Sequence, residues 1–177
     1  MRSRVVAELL IPGRGSPIEH GAVVFDDGVI DYAGPAASGP PRDDGETVHE
    51  VPVVMPGLWD CHAHFLGLHV VDLERLSLSD PTVTAARATA DAARTLMGGV
   101  TSVRDVGGPG LQLSKAIEEG SIPGPTIYGA GRILSTTGGH ADVHSLPLDF
   151  VHRIDESSGL GYICDGVPEV LRAVRRN

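Results

Sequence analysis

The sequence is short of aromatic residues and of cysteine. Phe, Tyr and Trp make up 4% of its 177 residues, so a core here must be built mostly from Val, Leu, Ile and Ala. Its two cysteines, Cys61 and Cys164, are too few for a disulfide scaffold in a chain of this length. There is no Cys-x-x-Cys pair and no Walker loop. Gly107-Gly-Pro-Gly110 lacks the Gly-x-Gly-x-x-Gly spacing of a dinucleotide site. Ser135 and His140 lie close in sequence, but no nucleophile elbow surrounds the serine. No apolar run reaches membrane length, and Glu8 and Pro12 interrupt any signal-like core. The expectation is a cytoplasmic protein with no membrane partner. A formal charge of -9 and short basic clusters argue against a nucleic-acid partner.

What the sequence has in quantity is glycine, 23 residues, and proline, 13, with an apolar fraction of 41% that allows a real core. That composition suits many short elements joined by tight turns. Four β-prone runs come first: 4–11, 20–25, 29–32 and 47–55. Asp26-Asp-Gly28 between the second and third is a reversal signal, because glycine accepts positive φ and aspartate tolerates it. His20 and His49 fall near strand ends here and read as surface or hydrogen-bonded residues. Pro56-Gly57 then breaks the densest apolar and β-prone run, Val51–Phe65, and a new strand is expected from Leu58.

Strict alternation along that strand places Leu58, Asp60, His62 and His64 on one face and Trp59, Cys61, Ala63 and Phe65 on the other. Cys61 is then expected to be a small buried hydrophobe, and Cys164, in a Gly-rich loop, to be exposed. Two imidazoles at i and i+2 can converge on one metal ion. Spacing alone favours a hydrogen-bonded structural role for them.

Beyond this strand the pattern becomes strand then helix. Asp80-Pro81 starts a helix with a slim apolar stripe of Val83, Ala86, Ala90, Ala93 and Met97, and with Arg87, Asp91 and Arg94 outward. Gly98-Gly99 stops it. Val100–Val106 is a β-branched strand, Leu111, Ser114 and Ile117 mark a short helix, and a third strand begins in 123–130. The order βαβαβ implies parallel strands, in a barrel or an open sheet. The stretch from Arg132 to Cys164 shows little pattern and reads as a long loop, a candidate substrate cover or an ordinary Gly-rich excursion. Asp165 can cap a last helix running to the final residues.

The phrase Met55-Pro-Gly-Leu-Trp-Asp-Cys-His-Ala-His64 resembles the start of the barrel in the amidohydrolase superfamily. The likeness is to the imidazolonepropionase-related branch, which includes metal-dependent dipeptidases and prolidase-like enzymes. It continues through Gly99-Val-Thr-Ser-Val-Arg-Asp-Val-Gly-Gly108 and from Gly129 to His140. The resemblance implies an α/β fold: a small β-sandwich subdomain over 1–56, then the first three or so βα units of an incomplete metal-dependent hydrolase TIM barrel over 57–177. It implies His62 and His64 as metal ligands for Zn2+, with Mn2+ or Fe2+ as alternatives. His140 becomes a substrate-binding candidate. Asp60 either orients a ligand or is a plain strand-start acid. Arg104 and Asp105, facing opposite ways, are supporting or structural candidates, as in an ion pair.

The family completes its site with a carboxylated lysine, two more histidines and an aspartate on later strands. Their equivalents, and so the catalytic residues, are expected beyond Asn177, and Lys115 does not match the lysine. The implied reaction is hydrolysis of a small-molecule amide, N-acyl amino acid, dipeptide or cyclic amide by metal-activated water. The chain by itself is expected to be inactive and to bind zinc weakly. The alternative is a noncatalytic structural or interaction fragment that needs a complementing chain or a homo-oligomer to complete its fold.

Overall fold

The computed structural model describes residues 2–177. The chain folds as two compact units, Met1–Pro56 and Gly57–Asn177.

The first unit is a four-stranded sheet. Its strands are β1 (Arg2–Leu10), β2 (Ile18–Asp26), β3 (Val29–Pro35) and β4 (Thr47–Val54), in the order β3-β2-β1-β4. β1 is antiparallel to β2 and parallel to β4. Asp27 and Gly28 have φ of 45° and 82°, and this pair of positive angles gives a hairpin loop whose twist matches the strands it joins. Ala7, Leu10, Ala22 and Val24 are buried. So is Arg4, whose Nε donates to Glu46 at 3.0 Å while Nη2 donates to the Pro40 carbonyl. A buried guanidinium held by a carboxylate and a carbonyl has the partners that its desolvation demands. His20 and His49 are exposed.

The second unit is built on a parallel sheet in the order β5-β6-β7: β5 (Leu58–Ala63), β6 (Val100–Asp105) and β7 (Thr126–Gly129). Helix α1 (Pro81–Met97) connects β5 to β6, and α2 (Gly110–Glu118) connects β6 to β7. The sheet does not close on itself, so the fold is α/β, with a β-subdomain followed in sequence by an incomplete, barrel-like sheet. Phe65, Ala88, Ala92, Val103, Leu113 and Ile127 form a core between sheet and helices. The Asp80 carboxylate caps α1 by accepting from the amides of Thr82 and Val83, and Pro81 takes the first helical turn, where its missing N–H costs nothing.

Four expectations need correction. The buried stripe of α1 is Ala88 and Ala92, whereas Val83 and Met97 are exposed. Both stripes have helical spacing, and the sheet selects the one whose small side chains permit close approach. The segment from Arg132 to Cys164 is not structureless. It holds β8 (Leu134–Ser135), helix α3 (Leu148–Ser158) and β9 (Tyr162–Ile163), with β8 and β9 paired in parallel. Val151 and Ile154 of α3 are buried, and Gly159 ends the helix in the left-handed conformation at φ 71°. The cysteines are reversed: Cys61 is exposed and Cys164 is buried. Cys61 lies on an edge strand, while Cys164 is held after β9 by its amide on the Ser135 carbonyl.

The fourth correction concerns β5. Its pairing with β6 shifts register between Leu58 and Trp59 and again between Asp60 and Ala63, so the strand is bulged. Trp59 stacks on Tyr128 with ring centroids 5.0 Å apart, and the two border a cavity with Arg104. Ala63 and Phe65 instead pack with Val103, on the opposite face of β6. Trp59 therefore does not share a face with Ala63 and Phe65, as strict alternation requires. Within the bulge the His62 amide donates to the Asp60 carboxylate at 3.0 Å, a local bond in place of a ladder bond. A last helix, α4, spans Gly166–Arg176.

Candidate active site

The parallel strands β5, β6 and β7 end at Ala63, Asp105 and Gly129, and the side chains of interest gather at and beyond those ends. In α/β folds this is where ligand sites form, because the loops leaving the strands supply groups that the sheet holds rigid.

His62 and His64 line one cavity of about 650 Å³. Their rings meet edge to face with centroids 5.3 Å apart. His64 Nδ1 lies 2.7 Å from the Gly107 carbonyl oxygen. A carbonyl can only accept, so Nδ1 carries a proton, and in the neutral ring Nε2 keeps its lone pair. A metal-binding imidazole needs this state, with one nitrogen donating to a fixed acceptor and the other free to ligate. The pair thus fits part of the ligand set of a nitrogen-preferring divalent cation. Among the described residues no cluster of three or more His, Cys, Asp and Glu side chains is placed to hold a metal ion.

Asp105 ends the central strand and is fully buried. Its two oxygens accept from the amides of Gly107, at 3.1 Å, and Phe65, at 3.2 Å. Burial pushes its carboxyl above the usual carboxylate value, against the opposing pull of those amides and of nearby His64. Arg104 faces the other way, towards Trp59 and Tyr128. Arg104 and Asp105 thus point to opposite faces, as adjacent residues of one strand do. Asp60 meets the site through the His62 amide, from which its carboxylate accepts.

His140 lines the same cavity as His62 and His64. So does His69, in the loop after β5, to which no sequence motif points. The wall between them is apolar, with Leu66, Leu68, Val70, Val71 and Leu73 from the segment after β5 and Ile133 and Leu160 from the β8–β9 region. That segment, 66–73, is rich in leucine and valine although it lies outside a strand, and this was the available signal that it covers something apolar. His144 and His152 are exposed and do not line this cavity.

The amidohydrolase family model matches residues 53–177, which include both histidines and every element of the second unit. The chain belongs to the amidohydrolase family. Among curated relatives, this amidohydrolase is 39% identical over 184 residues to an ochratoxinase of Aspergillus niger, covering 97% of this chain and 38% of that protein. It is 31% identical over 193 residues to an imidazolonepropionase of Methylobacterium sp. (strain 4-46), covering 93% of this chain and 46% of that one. The chain thus spans less than half the length of these relatives. The crystal structure of the A. niger ochratoxinase superposes with a TM-score of 0.84 at 37% identity, over 98% of this chain and 43% of that chain. A prolidase complexed with N-methylphosphonate-L-proline superposes with a TM-score of 0.82 at 30% identity, over 99% and 43% of the two chains.

Proposed function

We propose that the protein of which this chain forms part hydrolyses a C–N bond in a small amide, N-acyl amino acid, dipeptide or cyclic amide. His62 and His64 would hold a divalent ion, zinc by ligand type and Mn2+ or Fe2+ as alternatives. The observation that carries the reading is the His62–His64 pair with Nδ1 of His64 given to the Gly107 carbonyl, opening on a cavity at the strand ends of an amidohydrolase chain. Such an ion, when bound, supplies Lewis acidity that activates water and polarises a carbonyl.

The chain's own residues would do the rest of the work on this side of the site. Asp60 fixes the His62 amide in the β5 bulge and so sets where that imidazole leaves the strand. The apolar wall would take up a hydrophobic part of the substrate and keep water away from it. His140, on the same cavity, would contact substrate polar groups. The relatives' names agree with amide-type chemistry, since one is an ochratoxinase, one an imidazolonepropionase and one a prolidase. They do not choose among its substrates.

Two imidazoles fall short of the three protein ligands of a catalytic zinc. The 177-residue chain on its own would therefore bind zinc weakly and turn over nothing, and would be completed by a further polypeptide segment or subunit. The test uses a reconstructed longer protein, assayed with zinc and with manganese on dipeptides, N-acyl amino acids and lactams. Metal-dependent turnover is expected, and His62→Ala or His64→Ala should remove most of it together with bound metal. Unchanged metal content and turnover in the double-alanine protein would exclude the assigned roles.

A further inference from the structure

We propose that Asp105 is a positioning residue for His64, acting on it through the Gly107 peptide and the Phe65 amide. The proposal rests on the reading of His64 as a metal ligand and goes beyond it to what sets the ring's orientation and tautomer. Three hydrogen bonds make the linkage. Asp105 Oδ1 accepts from the Gly107 amide, and Oδ2 accepts from the amide of Phe65, the residue next to His64. The Gly107 carbonyl, on the far side of the same residue, accepts from His64 Nδ1 at 2.7 Å. One carboxylate therefore holds both the backbone that carries His64 and the acceptor that orients its ring.

The surroundings leave this carboxylate little freedom. Asp105 belongs to the central strand, and its own carbonyl accepts from the Ala130 amide at 2.8 Å while the next amide, of Val106, donates to the Ala63 carbonyl. The loop after it curls around the side chain. A Cβ placed on Gly110 would fall 2.6 Å from Asp105 Cβ, and one on Gly107 would fall 2.2 Å from Ile133 Cγ1. Gly107 and Gly108 take φ of 155° and 136°, a backbone that side-chain-bearing residues rarely adopt. The glycines thus let the loop approach closely enough for the Gly107 carbonyl to reach His64. A carboxylate has an acceptor oxygen for each of the two amides, whereas a carboxamide has only one. Replacement by Asn removes half of the grip with little change in size.

The tautomer of His64 reads this linkage directly and without metal. In the metal-free 15N-labelled chain, long-range 1H–15N spectra should show His64 as the Nδ1–H tautomer. In Asp105→Asn the ring should become a mixture of tautomers, and Gly108→Ala, which strains the loop and leaves the carboxylate intact, should do the same. Val103→Ala removes packing from the same strand without touching the linkage, and should lower stability while leaving the tautomer in place. Where zinc binds, Asp105→Asn should weaken it by roughly 10–100-fold, as loss of a partner behind a metal ligand does, and have little further effect once His64 is Ala. A His64 tautomer that stays fixed in folded Asp105→Asn and Gly108→Ala, or that is lost equally in Val103→Ala, would overturn the proposal. Failure of the hydrolase reading would show separately, as absence of metal binding and turnover in the reconstructed longer protein while the His64 tautomer still depends on Asp105.

Discussion

Asp165 occupies the cap position of α4, yet its carboxylate turns away from that helix. Its oxygens accept from the Thr137 amide at 2.9 Å and the Thr137 hydroxyl at 2.6 Å. The Asp165 amide in turn donates to the Glu169 carboxylate four residues on, so the helix start is tied by a side chain of its own first turn. The helix start at Asp165 was legible in the sequence, but the contact of its carboxylate is 28 residues away and no local pattern announces it. The two Thr137 bonds hold the Asp165 carboxyl below its ordinary value. A depressed folded-state value contributes stability that is present above the unfolded value and lost as pH falls through the folded one. Acid titration of stability should therefore show a loss below the usual carboxylate range, and Asp165→Asn should make that limb shallower, with Asp26 and Asp80, also held below their ordinary values, supplying the rest. An unchanged acid limb in the variant would remove Asp165 as one of its sources. His69 and Cys61 carry the same lesson: neither the place of His69 on the cavity nor the exposure of Cys61 follows from its neighbours in sequence.

At the scale of elements, β7 separates burial from exposure within two adjacent residues. Ile127 is 5% exposed and packs against α1 and α2 residues, whereas Tyr128 is 54% exposed on the other face, beside Trp59. Ile127→Ala should cost about 2–5 kcal/mol in urea unfolding, through lost burial and an unfilled cavity. Tyr128→Ala should cost clearly less, and equal costs would mean that the open face is packed after all. The strand start in 123–130 was legible, as were the Asp80-Pro81 start of α1 and the Asp27-Gly28 hairpin, because each depends on backbone rules within a few residues. The bulge in β5 was not legible, since it depends on Asp60 capturing the His62 amide and on pairing with β6. It leaves both histidines on one cavity by a route that strict alternation does not describe. Helix α3 escapes the sequence pattern for another reason. Its apolar residues Val151 and Ile154 are few, and the Pro147 and Gly159 that bound it are as common in loops as at helix ends.

At the scale of the whole molecule, the resemblance of 55–64 and 99–108 reached the family because those residues combine glycine turns, strand ends and histidines in one order. It could not supply the cover of the cavity, which depends on packing among Leu76, Ile154 and Leu160 from separated segments. The second unit also presents apolar surface. β5 and β7 are edge strands of its sheet, Trp59 and Tyr128 are each 54% exposed, and α4 displays Val167, Leu171 and Val174 along one side. Positions 167, 171 and 174 recur at helical spacing, so they form a stripe fit to lie against another element. Open sheet edges and such stripes drive association when nothing covers them. The 177-residue chain on its own is therefore expected to self-associate in a concentration-dependent way, measurable by sedimentation velocity. Leu171→Glu with Val174→Glu places two charges on the α4 stripe and should shift the distribution towards monomer while leaving far-UV circular dichroism unchanged. If the double variant still associates to the same extent, the sheet edges rather than α4 drive association. A monodisperse wild-type monomer with cooperative unfolding would show that neither surface needs a cover, and would count against the dependence of this chain on a further segment or subunit.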